Sequence, residues 1–139
     1  MTLDAAGVAQ YDFLADTAYD HIPFDDDTRE LAAGLSLACY GSLAQRGEES
    51  AAHIRAFLSA LPEKSVRVFD VNLRGSFYSR AQLEATLELS NAFKCNEDEL
   101  PVLARLLNMR AAAPDFFADL RTRYGCELFI FTEGAKQSQ

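Results

Sequence analysis

The sequence has little of what most catalytic chemistry is built from. Only two histidines, His21 and His53, and three cysteines, Cys39, Cys95 and Cys126, occur among 139 residues. No two cysteines form a C-x-x-C pair, so a zinc site would need separated side chains to converge through folding. An odd cysteine count argues for reduced thiols in the cytoplasm over a disulfide framework, and the three are read as small buried side chains. There is no G-x-x-x-x-G-K-[ST] loop, no G-x-G-x-x-G after a strand, no G-x-S-x-G elbow and no H-E-x-x-H pair. No basic amino-terminal region leads into an apolar run with a small-residue cleavage site, and no apolar run reaches a bilayer span. These absences predict no cofactor, no metal and no membrane association.

Cations are also scarce. Thirteen Lys and Arg face 21 Asp and Glu, for a net charge of -8, and residues 1–30 hold eight acidic side chains against Arg29 alone. Such a surface repels phosphate backbones and attracts a basic patch on another macromolecule, which argues against direct nucleic-acid binding. DDDTRE at 25–30 lacks the alternating ligands, glycine and terminal glutamate of a calcium loop, and helix capping explains it.

What is present is apolar content enough for a core: 49% of the residues, read as a single domain over 1–139 with a strongly acidic helical region at 1–30 and a frayed tail at 133–139. The stretch Asp27 to Gly47 is nearly free of charge and apolar on all sides. It predicts one buried central helix, capped by Asp27 with Glu30 and stopped by Gly47. A first helix is expected from Thr2 to about Tyr19, with Asp12, Asp16 and Asp20 on one face. EESAAHIRAFLSALP reads as an amphipathic helix ended by Pro62. Val66 to Leu73 is a confident strand, with Phe77 and Tyr78 as its hairpin return. Ser79 with Gln82 opens a helix running to about Phe93, and Lys94 to Glu99 is a polar connection. Further helices start near Asp98 to Leu100 and at Pro114, the last stopped by Gly125, and CELFIFT is a closing strand apolar enough to lie inside a sheet. The class expected is α+β: a mostly helical domain with a small two- or three-stranded sheet covered by helices. The alternative is an all-helical packing with one peripheral hairpin.

For function, the charge asymmetry outweighs everything else. It predicts a cytoplasmic, non-enzymatic protein-binding domain that inhibits or masks a basic protein or complex, with Asp12, Asp16, Asp20, Asp25 and Asp26 as the partner-binding residues. Aspartates four apart on a helix rise about 6 Å, near the phosphate spacing of one nucleic-acid strand. The sharper form is therefore a nucleic-acid mimic, by analogy with small acidic inhibitors that phages or mobile elements direct against nucleic-acid-binding defence complexes. Two alternatives stay open: an effector chaperone or immunity protein, for which a homodimer is one architecture, and a small enzyme with a site assembled from Cys39 or Cys126 and His53.

Overall fold

The computed structural model describes residues 2–3, 9–10 and 13–134. Two short strands, β1 (Thr2–Leu3) and β2 (Ala9–Gln10), pair antiparallel. The rest alternates strands and helices: α1 (Asp26–Ala33), β3 (Leu37–Tyr40), α2 (Glu48–Ala60), β4 (Val66–Asp70), α3 (Arg80–Leu87), β5 (Ala92–Asn96), α4 (Glu99–Leu107), α5 (Ala113–Tyr124) and β6 (Leu128–Thr132). Strands β3 to β6 form one parallel sheet in the order β3-β4-β5-β6. The α+β expectation is thus overturned, as is its all-helical alternative: this is an α/β sheet built from strand-helix-strand crossovers.

The largest correction lies at Asp27 to Gly47, which is not one helix. The cap is Asp25, whose carboxylate accepts from Thr28 N at 2.9 Å while the Thr28 hydroxyl answers the Asp25 N–H at 2.8 Å. The helix ends at Gly34, and Leu37–Tyr40 is a strand. Between Gly34 and Gly41 the chain forms an edge strand in which Leu37 and Cys39 are exposed and Ala38 and Tyr40 are part-buried. A Cβ on Gly41 would stand 3.2 Å from the Asp70 carbonyl, so the loop crosses β4 closely there. No hairpin follows β4 either. Its partners are β3 and β5, both parallel, and 72–78 is a turn in which Asn72 and Gly75 take φ of 41° and 51°. The first half of the expected connection at Lys94 to Glu99 is strand, because AFKCN pairs with both β4 and β6. The first helix expected from Thr2 is not formed at 2–3, 9–10 or 13–17, where strands and irregular backbone stand instead.

Other local readings agree with the structure. Gly47 precedes α2, Ser79 caps α3 by accepting from Gln82 N at 3.2 Å, α4 begins at Glu99, Pro114 sits in the first turn of α5, and Gly125 ends it with φ 72°. The Gln82 side chain does not return to its cap; it donates to the Ser42 carbonyl at 2.7 Å.

Right-handed crossovers that step in one direction put their helices on one face of the sheet. Here the inner face carries a row of aromatic rings across the strands: Tyr40 on Phe69 (5.9 Å), Phe69 on Phe93 (6.0 Å), Phe93 on Phe116 of α5 (6.1 Å), and Phe117 on Phe129 (5.0 Å). Leu83 and Leu87 of α3 and Leu103 and Leu107 of α4 complete this core. A smaller cluster joins Ala32 of α1, Leu58 and Leu61 to Ala38 and Tyr40. The outer face is different: Leu37, Leu128 and Ile130 are 55%, 51% and 38% exposed. No helix of the described residues is long and apolar enough to cross a membrane.

Candidate functional site

Parallel sheets bind ligands outside the carboxyl ends of their strands, because the loops and the exposed backbone converge there. In this chain the segments after β3 and β5 hold the buried polar residues Ser42, Gln45 and Glu99.

After β5, Asn96 opens the turn into α4: its side-chain oxygen accepts from Asp98 N (3.0 Å) and Glu99 N (2.9 Å). Glu99 is 7% exposed, and its two oxygens accept from Leu73 N (2.8 Å) and Asn96 N (3.0 Å). A buried carboxylate satisfied by backbone N–H groups of two loops locks those loops together. It fixes the position of 72–74, where Asn72 and Arg74 follow β4. Arg74 is part-buried, donates to the Leu73 carbonyl at 3.1 Å, and belongs to none of the ion pairs among the described residues. Asp70, at the end of β4, is held by Lys94 at 2.6 Å. Glu97 accepts from Gly134 N at 2.9 Å and ties the second residue after β6 to the same margin.

After β3, Arg46 is the hub. Its guanidinium, with the side chain 10% exposed, is forked onto Asp20 at 2.7 and 2.6 Å and lies 4.9 Å from the ring centres of both Tyr19 and Phe77. It also donates to the carbonyls of Phe13 and Leu14. Arg46 holds the Asp20 carboxyl far below the usual carboxylate range, helped by the Thr17 N–H. An open cleft of 600 Å³ lies against this hub, lined by Phe13, Asp16, Asp20, His21, Arg46, Glu49 and Phe77. His21 donates to Asp16 at 2.6 Å, which raises its pKa. Ser42, at 1% exposure, carries a hydroxyl with no hydrogen-bond partner among the described residues.

The acidic residues picked from sequence are therefore dispersed in role. Asp12 lies outside the described residues. Asp16 and Asp20 share the cleft, but Asp20 is committed to Arg46, and no helix aligns them. Asp25 caps α1, and Asp26 stands exposed in its first turn. Of the thiol candidates, Cys126 sits in the aromatic core with its thiol against the Ser90 carbonyl at 3.6 Å, and burial pushes it up to about 11. Burial raises Cys95 to about 12. Cys39 is exposed on β3, and with His53 it lines an apolar cavity of 330 Å³. His53 donates from Nδ1 to the Ile22 carbonyl at 2.7 Å. Among the described residues no three potential metal ligands converge. Sequence reading missed Asn72, Arg74, Asn96 and Glu99; the signal available was a cluster of polar residues at the end of each apolar strand, visible only once both strands are recognised.

No protein-family model and no curated protein matches the chain. Solved structures do. The chain is similar in fold to the fructokinase of Xylella fastidiosa solved with ATP (TM-score 0.64, 19% identity, 76% of this chain and 35% of that one). It is also similar to a PfkB family carbohydrate kinase of Listeria grayi (0.66, 16%, 82% and 37%). A third likeness is to the aminoimidazole riboside kinase of Salmonella enterica, solved with its riboside and an ATP analogue (0.57, 21%, 71% and 34%). This chain spans about a third of the length of each. These neighbours overturn the expectation of a non-enzymatic acidic inhibitor or nucleic-acid mimic. Its premise, an aspartate-lined helix, is not formed among the described residues, and the fold is one that solved sugar kinases share.

Proposed function

We propose that this chain supplies part of a sugar kinase, transferring the γ-phosphoryl group of ATP to a hydroxyl of a carbohydrate or riboside. The observation that supports the reading is the fold likeness to sugar kinases over 71% to 82% of the chain. In phosphoryl transfer the protein has little covalent chemistry to perform, and catalysis is positioning and charge stabilisation. The margin formed by 72–74 and 96–99 suits that task. Arg74 would face phosphate oxygens with a guanidinium that no carboxylate among the described residues has claimed, since a planar fork matches phosphate geometry. Glu99 is a positioning residue, holding the Arg74 loop against the end of β5. A cytoplasmic location fits this reading, because ATP is plentiful there and Cys39, Cys95 and Cys126 are all free thiols.

The experiment is ATP binding by calorimetry together with ADP release in the presence of fructose and of a riboside. ATP binding and sugar-dependent ADP release are expected, with Arg74→Gln lowering kcat/KM by about 100-fold. Failure to bind ATP, or an Arg74→Gln variant with unchanged kinetics on every sugar, overturns the proposal.

A further inference from the structure

We propose that His21 is a proton-operated latch that fastens the turn at Ala15 and Asp16 to the amino end of α2, at the 600 Å³ cleft these residues line. It is closed when the imidazole is protonated and open when it is neutral. The inference rests on the placement of three side chains and not on the kinase reading.

The imidazole stands between two carboxylates that come from different parts of the chain. Its Nε2 lies 2.6 Å from Asp16 Oδ1, and its Nδ1 lies 3.8 Å from Oε2 of Glu49, in the first turn of α2. A neutral imidazole carries one N–H, and its other nitrogen presents a lone pair. At 2.6 Å from a carboxylate oxygen the proton has to sit on Nε2, so the neutral ring turns its lone pair toward Glu49 and repels it. The imidazolium presents an N–H in both directions. Protonation therefore decides whether Asp16 and Glu49 are joined through one ring or held apart.

The other charges around the ring set where this happens. Asp20, on the same segment, is forked onto Arg46 from the segment after β3, which cancels most of both charges. Glu48 lines the cleft from α2, and His53, further along α2, is tied to the Ile22 carbonyl. The amino end of α2 is the positive pole of a helix dipole and opposes an imidazolium, but Glu48 and Glu49 in its first turn offset that. The hydrogen bond to Asp16, and then the charges of Asp16, Glu49 and Asp20, raise His21 above its ordinary 6.5. The switch thus falls where histidine serves as a sensor of physiological pH.

The chain on the two sides of the latch is held unequally. From Thr17 to Ile22 it is pinned: Thr17 N–H and hydroxyl donate to Asp20, Ile22 N donates to the Ser50 hydroxyl at 2.9 Å, and His53 donates to the Ile22 carbonyl at 2.7 Å. Asp16 differs. Its φ is 56°, a left-handed backbone that a residue other than glycine adopts at a cost, and its carboxylate is 86% exposed, bonded to His21. Loss of the proton weakens the contact that offsets this backbone, and Ala15 and Asp16 swing away from α2. Opening also removes one positive charge from a cleft that Asp16, Glu48 and Glu49 line, so the open cleft is wider and more anionic than the closed one.

The test is NMR on the 139-residue protein from about pH 5 to about pH 9. With two histidines in the chain, the His21 ring signal is the one lost in His21→Gln. As His21 loses its proton, the backbone order parameters of Ala15 and Asp16 should fall from about 0.85 to below about 0.6, while that of Tyr19 stays high. The fall should share its midpoint with the ring signal. His21→Gln, which has one donor group and never gains the charge, should show the high-pH values at every pH. Glu49→Gln should lower the His21 midpoint and shift the loss of order with it. His21 and Glu49 are both more than half exposed, and an unchanged melting transition confirms that each variant folds. The proposal is overturned if the order of Ala15 and Asp16 does not change across the His21 titration, if it changes with another midpoint, if His21→Gln keeps the low-pH order, or if Glu49→Gln leaves the midpoint where it was. ATP binding is read separately, so the latch and the kinase reading fail independently.

Discussion

The inner and outer faces of one sheet differ more than any two elements of the chain. On the inner face every strand contributes an aromatic or aliphatic side chain that a helix covers, and Phe69, Phe93 and Phe116 are fully buried. On the outer face the alternate residues of the same strands remain near solvent at both margins, while Ala92 and Val68 in the middle are buried by their neighbours. Strand alternation sends equal numbers of side chains to each face, so the asymmetry comes from the crossovers and not from strand composition. All-parallel sheets are ordinarily covered on both faces. The stability of the described residues should therefore be lopsided.

Phe93→Ala should break the comparison at its strong side. It opens a cavity between Phe69 and Phe116 and should cost about 3–5 kcal/mol in urea unfolding. Losses near those of a surface substitution would mean that the inner face is not the core.

Glu99→Gln comes next. The substitution keeps the shape but leaves one of the two backbone N–H groups, Leu73 or Asn96, without its acceptor, which should cost about 1–3 kcal/mol. A sharper readout is local: amide exchange at Leu73 and Asn96 should accelerate more than exchange at Phe69.

Acid should loosen the margins before the core. Arg110 holds the Asp119 carboxyl down to about 2, chiefly by their hydrogen bonds, and Arg46 holds Asp20 lower still. A carboxyl depressed in the folded state stabilises fully above its ordinary value of 3.8. That contribution is lost as pH falls through the folded value. Melting temperature should decline below pH 4, and Asp119→Asn should flatten the decline. His21 works in the opposite sense: raised by Asp16, it stabilises below its ordinary 6.5 and loses that effect as pH rises. An unchanged slope in Asp119→Asn would show the Arg110 contacts to be solvated.

Ser42→Ala should be the rare core change that does no harm. Its buried hydroxyl has no partner among the described residues, so removal should be neutral or stabilise by up to about 1 kcal/mol. A loss above 1 kcal/mol would reveal a bond the geometry does not show. Ile130→Thr on the outer face should have the smallest effect, within about 0.5 kcal/mol. A much larger loss would mean that the outer face is packed.

Local signals in the sequence were sufficient for much of the carboxyl two-thirds of the chain. Ser79, Pro114 and Gly125 mark helix ends through their own backbone chemistry, and Val66 to Asp70 is rich in β-branched and aromatic residues. Both are short-range effects that survive removal of the fold. The acidity of residues 1–30 was equally plain, but its meaning was not. Whether Asp20 faces solvent or Arg46 depends on a contact 26 residues away.

Tertiary structure alone decided the state of Leu37–Tyr40 and of Ala92–Asn96. Runs of four or five residues are too short to show a period that separates strand from helix, so pairing with β4 settles the matter. The site was hidden for the same reason. The Asn96–Glu99 turn is local, but it meets the 72–74 loop through Leu73 N only when β4 and β5 lie side by side, because register across a parallel sheet is a long-range property that spacing along the chain does not carry.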